Sequence, residues 1–173
     1  SSSTSHLSSS LFNTNKILVS YADDGDTSKG KAVIGSISGT AITFGTAAQF
    51  DASVCKDIST VKMDTDRVEI MFINDTLDDC ISYQAYIVGT AINFISKHTV
   101  DLNATSTRIF RTGVAGSFRS LAFFQDVSNS SRFSYVTLDV PLGSVSDKYI
   151  LCSIGETSVA GQFMRVFRTY EAN

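Results

Sequence analysis

Short runs of alternating apolar and polar residues, separated by polar turns, recur along the chain at a nearly fixed spacing. The segment Gly39–Phe44 reads GTAITF and returns fifty residues later as GTAINF at Gly89–Phe94. A shift of 51 residues aligns Ile17–Asp24 with Val68–Asp75 and then with Arg119–Asp126, and each segment has an aromatic residue at its fifth position and ends on aspartate. Because alternation with a period of two is typical of half-buried strands, these segments predict β-structure.

The spacing predicts three repeats of four strands each, at about residues 6–51, 57–102 and 108–154, with an extra alternating strand at about 162–170 (Gln162–Arg168). The first strands start near His6, Asp57 and Arg108, and the second strands are the three aligned segments. The third strands are Lys31–Ile37, Ser82–Val88 and Phe133–Asp139, and the fourth are Ala41–Phe50, Ala91–Val100 and Tyr149–Ile154. No stretch has sustained helical periodicity, so we expect one antiparallel all-β domain over residues 1–173.

Composition agrees with a folded β-protein. Apolar residues make up 43% of the chain and charged residues 18%, which is enough to fill a core. Pro141 is the one proline, so most of the chain can pair in sheets without losing hydrogen-bond donors. No apolar run approaches the eighteen or so residues of a membrane-spanning helix, and we expect no membrane span.

The first repeat, KILVSYADDGDTSKGKAVIGSISGTAITFGTAAQF, resembles a repeat of marine bacterial and phage fibre-like proteins. In those repeats a strand ends in an acidic turn, and GTAVVGTV-like and SGTSISFG-like segments follow. The resemblance is close over residues 6–51, fair over 57–100 and weak over 108–154, where the GTAI-x-F element is missing. It implies β-propeller blades and carries over no catalytic residue. A β-trefoil or a three-sheet β-prism also uses three four-stranded repeats, and the strand count alone leaves these alternatives open.

The charge and the cysteine content exclude few classes of function. The net charge is −3, and residues 108–173 hold seven basic and five acidic side chains without a contiguous basic cluster, so we expect no nucleic-acid binding. The cysteines, Cys55, Cys80 and Cys152, fall at different places in the three repeats and match no zinc spacing. Two alternatives remain open: the three cysteines form one disulfide and leave one free thiol, or all three are buried thiols.

The densest group of oxygen ligands is the turn that contains Asp23, Asp24 and Asp26 around Gly25. Such a turn is a weak candidate calcium site, because Ca²⁺ is bound by carboxylate and carbonyl oxygens, but no glutamate stands where an EF-hand needs one. The later repeats have weaker versions, with Asn74, Asp75, Asp78 and Asp79 in the second and Asp126 and Asn129 in the third. The simpler interpretation is that Asp and Asn form turns through their own backbone.

No catalytic motif is visible, and we expect a non-enzyme. His6 and His98 have no motif partner, and Glu69, in the middle of a predicted strand, is interpreted as solvent-facing. Weak candidates for sugar binding are the tyrosines of the third strands, which are Tyr83, Tyr86 and Tyr135, with Phe133 beside them. The sequons at Asn74, Asn103 and Asn129 would be glycosylated only in a eukaryotic secretory protein.

These patterns predict a structural or binding module, a component of a virion or cell surface such as a fibre, decoration or adhesion protein. Its partners would be further copies of itself or neighbouring structural proteins, with surface glycans also open, and its location extracellular or on a virion. The alternative is a lectin with shallow sites between repeats. Three blades would leave apolar sheet faces uncovered, so a propeller would need a larger array or a second chain to close it.

Overall fold

The computed structural model describes residues 3–101, 104–114, 117–126, 132–139 and 150–153, and it describes side chains over residues 3–100. The protein is all-β, as the alternating pattern predicts, and the only helical element in the described part is a 3₁₀ turn at Asp24–Asp26. The strands are β1 (Thr4–Asn13), β2 (Lys16–Asp23), β3 (Lys29–Ser38), β4 (Ala41–Phe44), β5 (Ala48–Lys62), β6 (Arg67–Asn74), β7 (Asp79–Val88), β8 (Ala91–Asp101), β9 (Ala104–Val114), β10 (Ser117–Asp126), β11 (Arg132–Asp139) and β12 (Ile150–Ser153). No helix among the described residues has the length and apolar character needed to cross a membrane.

Eight strands form one open antiparallel sheet, in the order β1-β2-β3-β5-β6-β7-β8 with β4 beside β3. The long strand β5 joins its two halves, because Ala48–Val54 pairs with β3 and Cys55–Lys62 pairs with β6. We call β1–β4 with the start of β5 the N-terminal half-sheet, and the rest of β5 with β6–β8 the central half-sheet. A second sheet, the C-terminal sheet, has the order β12-β11-β10-β9. Its strand β9 lies against β5, β6 and β7.

One strand prediction is wrong in a way that matters for this architecture. The sequence predicts a single fourth strand at Ala41–Phe50 followed by a separate strand near Asp57, whereas the chain breaks after Phe44 and then continues without interruption through β5. The break arises because both segments pair with β3, β4 with its Gly35–Ser38 end and β5 with its Lys29–Ala32 end. The predicted strand at Tyr149–Ile154 is present as β12, and Gln162–Arg168 lies outside the described residues.

The two half-sheets fold against each other and enclose the main core. On the N-terminal half-sheet, the side turned to the core, which we call the inner face, carries Phe12, Leu18, Ala22, Ala32 and Ile34. The central half-sheet contributes Val68, Ile70, Phe72, Ile81, Ala85 and Ile87. Phe50 lies between them, with its ring centroid 5.2 Å from that of Phe72. The core is therefore a layer between two stacked sheets, each of which buries one apolar face against the other.

Backbone details recur at the spacing of the sequence pattern. The Asp24 N–H donates to the Ser3 carbonyl at 3.1 Å, and 51 residues later the Asp75 N–H donates to the Val54 carbonyl at 2.9 Å. Ile37 donates to Asn15 and Ile87 donates to Asp66, each at 2.7 Å. Gly39 and Gly89 both have positive φ, 59° and 64°, in the turns before β4 and β8, a conformation that glycine adopts without strain. The sequence pattern thus corresponds to matching local geometry in the two half-sheets.

The other side of the N-terminal half-sheet, which we call the outer face, is apolar. Strand pairing places its members on one side: Leu11 opposite Ile17, Val19 opposite Val33, Ile37 opposite Ile42, and both Ile17 and Phe44 opposite Gly35. Tyr21 follows on the same side of β2. Leu11 is 62% exposed, Ile42 48% and Phe44 54%. Ile17, Val19, Tyr21 and Ile37 are partly buried and Val33 is 8% exposed, so in the described part of the chain this apolar face is partly open to solvent.

Candidate functional site

The acidic turn after β2 is organised by its own hydrogen bonds and by two lysines. Asp23 Oδ1 accepts from the Gly25 N–H at 3.1 Å, and Asp24 Oδ1 accepts from the Ser5 and Ser28 hydroxyls at 2.7 and 3.0 Å. Lys31 Nζ lies 2.8 Å from Asp23 Oδ2 and 3.0 Å from Asp26 Oδ2, and Lys29 Nζ lies 2.9 Å from Asp26 Oδ1. These contacts are made by neighbouring side chains and fix the turn that connects β2 to β3.

The electrostatics of this turn follow from the same contacts. The hydrogen bond from Ser5 lowers the pKa of Asp24, and the hydrogen bond from Lys29 lowers the pKa of Asp26. Hydrogen bonds to Asp23 and Asp26 raise the pKa of Lys31. No group of three side chains placed to hold a metal ion occurs among the described residues. Calcium binding by Asp23, Asp24 and Asp26 therefore stays a prediction, and the geometry favours the turn-forming interpretation.

The corresponding turn after β6 is built in the same way. Asn74 Oδ1 accepts from the Thr76 N–H at 3.0 Å, and Lys56 forms an ion pair with Asp75 and lies 3.5 Å from Asp78 Oδ1. Asn74 is only 5% exposed, so its sequon offers no accessible amide in the folded protein. Asp79 begins β7 and Asp126 ends β10, while Asn103 and Asn129 lie outside the described residues.

Tyr83 and Tyr86, two of the tyrosines proposed for sugar binding, do not form one platform. Tyr83 and Tyr86 are three residues apart on β7 and therefore lie on opposite sides of the strand. Tyr83 stacks on Phe72 with ring centroids 6.1 Å apart, and Lys97 Nζ lies 5.4 Å from its ring centroid. Tyr86 is exposed, and Tyr135 lies on β11, where only the backbone is described. The structure thus keeps the rings of Tyr83 and Tyr86 apart.

A polar cluster that the sequence analysis missed lies at the edge of the core. Asp51, on β5, is 7% exposed, and Lys97 Nζ on β8 lies 2.9 Å from its Oδ2. The hydroxyl of Tyr83 lies 3.5 Å from the same oxygen, and the Ser53 hydroxyl and N–H both donate to Oδ1. The cluster ties the strand shared by the two half-sheets to the far edge of the central one. Asp51 and Lys97 are 46 residues apart and belong to no local motif, so no sequence signal points to them.

Charges in this cluster are set by burial and by the ion pair. Burial raises the pKa of Asp51, but the hydrogen bonds from Ser53 and Lys97 outweigh it and leave the pKa below its ordinary value. Burial lowers the pKa of Lys97, and the contact with Asp51 outweighs this and raises it. Nearby, burial and the charge of Asp51 raise the pKa of Cys55 to about 12. The pair is therefore ionised and the thiol protonated at neutral pH, which suits a structural tie better than nucleophilic chemistry.

Glu69 is the clearest error of the sequence analysis. The strand pattern predicts a solvent-facing side chain, but Glu69 is 0% exposed, and the Ser82 hydroxyl donates to its Oε1 at 2.5 Å. Successive side chains of β6 point to opposite sides of the sheet, as in any strand, but both sides are buried. The inner face covers one side, and the C-terminal sheet, through β9, covers the side that carries Glu69. A substrate would have to separate two sheets to reach this carboxylate.

The histidines occupy structural positions. His6 Nδ1 accepts from the Asp57 N–H at 3.0 Å, and both residues have positive φ at irregularities in strand pairing. This bond joins β1 to β5, the two strands that meet where the half-sheets fold together. His98 lies on β8 opposite Ser82. Ser82 is also the residue whose hydroxyl donates to the buried Glu69, so His98 lies next to that hydrogen bond on the neighbouring strand.

Comparisons with known proteins do not add a relative, because no family model, no curated protein and no solved structure matches the chain. The resemblance to fibre-like repeats therefore rests on the sequence segments quoted for it. The function has to be argued from the chain's own surfaces and contacts.

Proposed function

We propose that this chain is a non-enzymatic structural and binding module, a fibre, decoration or adhesion component of a virion or cell surface. It associates through its sheet faces with further copies of itself or with neighbouring structural proteins. The extracellular or virion location is part of the proposal and is supported by the resemblance of residues 6–51 to fibre-like repeats.

The stacking of sheets supports a repeat-built scaffold. Matching backbone hydrogen bonds occur 51 residues apart, and the central half-sheet is covered on one side by the inner face and on the other by the C-terminal sheet. In repeat proteins, each unit buries its apolar surface against its neighbours in this way. We take the units to be blade-like, because strands that follow each other in sequence are paired in each half-sheet. These runs of paired strands are β1 to β4 and β5 to β8.

The observation that carries the proposal is the apolar outer face, on which Leu11, Ile42 and Phe44 are exposed. Soluble monomers rarely expose large contiguous apolar patches, and such patches mark interaction sites. The polar clusters described above are, in contrast, engaged in holding strands and turns together. A lectin has less support, since Lys97 lies over the ring of Tyr83 and Tyr86 is on the other side of β7.

Light scattering across a dilution series of the wild-type chain tests the proposal. We expect a mass of two chains or more that falls to one chain only on strong dilution. A chain that remains a monomer at every concentration, and that is retained on an immobilised glycan surface, would instead support the lectin and contradict self-association.

A further inference from the structure

In the described part of the chain, the same type of sheet face is covered in the central half-sheet and partly open in the N-terminal half-sheet. On β6, the side that carries Val68, Ile70 and Phe72 packs against the inner face and is buried. By the 51-residue shift, the matching positions on β2 are Ile17, Val19 and Tyr21, which lie on the outer face. The outer face is thus the N-terminal counterpart of a surface that already binds a sheet of this chain.

The correspondence extends across neighbouring strands. Val33 pairs with Val19 as Tyr83 pairs with Ile70, and Ile37 pairs with Ile42 as Ile87 pairs with Ile92. Phe44 lies opposite Gly35, and Phe94 lies opposite Ala85. In the central half-sheet, Phe94 and Ile92 pack against the core, whereas Phe44 and Ile42 are about half exposed. The outer face therefore has the chemistry of a packing surface on three adjacent strands.

The covered surface also defines what kind of partner fits. The inner face that packs on β6 presents small and apolar side chains, among them Leu18, Ser20 and Ala22 on β2. By shifts of 102 residues, these positions correspond on β10 to Ser120, Ala122 and Phe124. In the described part of the chain, the C-terminal sheet lies beyond the central half-sheet. The side of the C-terminal sheet that faces away from the central half-sheet is therefore the counterpart of the inner face.

We propose that the outer face of the N-terminal half-sheet binds a second copy of this chain, which packs its C-terminal sheet there as the inner face packs on the central half-sheet. The contact is head-to-tail, with different surfaces on the two copies. Such a contact closes a ring where the rotation allows and otherwise extends into a filament. This inference rests on the proposed self-association and specifies the surface that mediates it.

The test uses two double variants with matched exposure. Leu11→Lys/Phe44→Lys places two charges on the outer face at side chains that are 62% and 54% exposed. Leu77→Lys/Val88→Lys places two charges elsewhere, at side chains that are each 61% exposed. Because all four side chains are exposed, both variants should fold, and thermal melting of the dilute chains checks this. Light scattering is then compared with the wild type.

We expect the outer-face variant to associate at least tenfold more weakly than the wild type and the control variant to associate like the wild type. Equal association of both variants, with an assembling wild type, would overturn the outer-face assignment and leave self-association intact. A wild type that never associates would contradict the proposed function itself. A monomeric wild type whose melting temperature the outer-face variant alone lowers would indicate that a segment of the same chain covers the face, which also overturns the proposal.

A mixing experiment tests the head-to-tail geometry. A dye-labelled outer-face variant keeps its C-terminal sheet unchanged, so we expect it to bind unlabelled wild-type chains through their intact outer faces. If two outer faces packed against each other, the variant would fail to bind the wild type as well as itself. That result would overturn the head-to-tail arrangement.

Discussion

Strands β2 and β6 hold corresponding places in the sequence pattern but differ in burial. Along β2, buried residues alternate with half-buried ones, whereas β6 is buried at every position after Arg67. The difference lies in their neighbours, because in the described part of the chain β6 is between two sheets and β2 has a sheet on one side only. The sequence pattern of a strand therefore predicts which residues share a side. Whether each side is buried depends on how many sheets pack against the strand.

The largest expected effect comes from the aromatic position shared by the two strands. Phe72→Ala should cost about 3–5 kcal/mol, because the ring is fully buried between Phe50 and Tyr83. Tyr21→Ala, at the matching position on the outer face, should cost about 1 kcal/mol or less in the dilute monomer. Urea unfolding followed by circular dichroism measures both. A Phe72→Ala chain that melts within a degree or two of the wild type would show that the two strands have been wrongly aligned.

Two buried serines, one in each half-sheet, test the same comparison between the N-terminal and central half-sheets. Ser82→Ala removes a hydrogen bond to the buried carboxylate of Glu69 and should cost about 1.5–3 kcal/mol. Ser20 on β2 is equally buried, but its Oγ meets no hydrogen-bond partner among the described residues. Ser20→Ala should thus be nearly neutral or slightly stabilising. Equal losses in urea unfolding for the two variants would mean that the Glu69–Ser82 bond adds no stability.

Two glycines on β3 compare its two sides. A Cβ at Gly30 would overlap the ring of Phe50 in the core, and Gly30→Ala should cost about 1–3 kcal/mol. A Cβ at Gly35 would lie 2.8 Å from Ile42 Cγ2 and 3.0 Å from both Ile17 Cγ2 and Phe44 Cε1, a smaller overlap than the 2.2 Å approach to Phe50 at Gly30. Gly35→Ala should therefore cost less than Gly30→Ala in the dilute monomer. A reversed order in chemical denaturation would contradict the assignment of inner and outer faces.

The smallest expected effect is a difference in acid stability. Because Asp51 has a lowered pKa in the folded chain and an unfolded value of about 3.9, its stabilisation is complete above that value. The stabilisation is lost as the pH falls through the folded-state pKa. The stability gap between wild type and Asp51→Asn should therefore narrow below pH about 4. Asp26→Asn is the control, since Asp26 is more exposed and its ion pairs are screened by solvent.

Much of the fold could be predicted from the sequence because it depends on local alternation. The strand positions, the turn-forming role of Asp23 and Asn74, and the glycine turns at Gly39 and Gly89 all follow from short-range patterns. The continuity of β5 was missed because it depends on two segments competing for the same strand, β3.

The candidate site was harder to predict because it depends on contacts between distant residues. The burial of Glu69 escapes the sequence because a single strand cannot reveal that a second sheet covers it. Asp51 and Lys97 meet only because β5 and β8 approach in the folded chain. Sugar binding by Tyr83, Tyr86 and Tyr135 stays a prediction, although the three-residue spacing on β7 puts Tyr83 and Tyr86 on opposite sides of the strand.

The most direct test of the central claim is the accessibility of the outer face as a function of protein concentration. Ile42→Cys, on the outer face, and Val88→Cys, elsewhere, introduce thiols at exposed positions, and the wild-type chain gives the background from its own cysteines. We predict that modification at position 42 by a small thiol reagent slows sharply as the chain assembles, while modification at position 88 does not change. Equal reactivity at position 42 in the monomeric and the assembled protein would contradict the claim that a second copy covers this face.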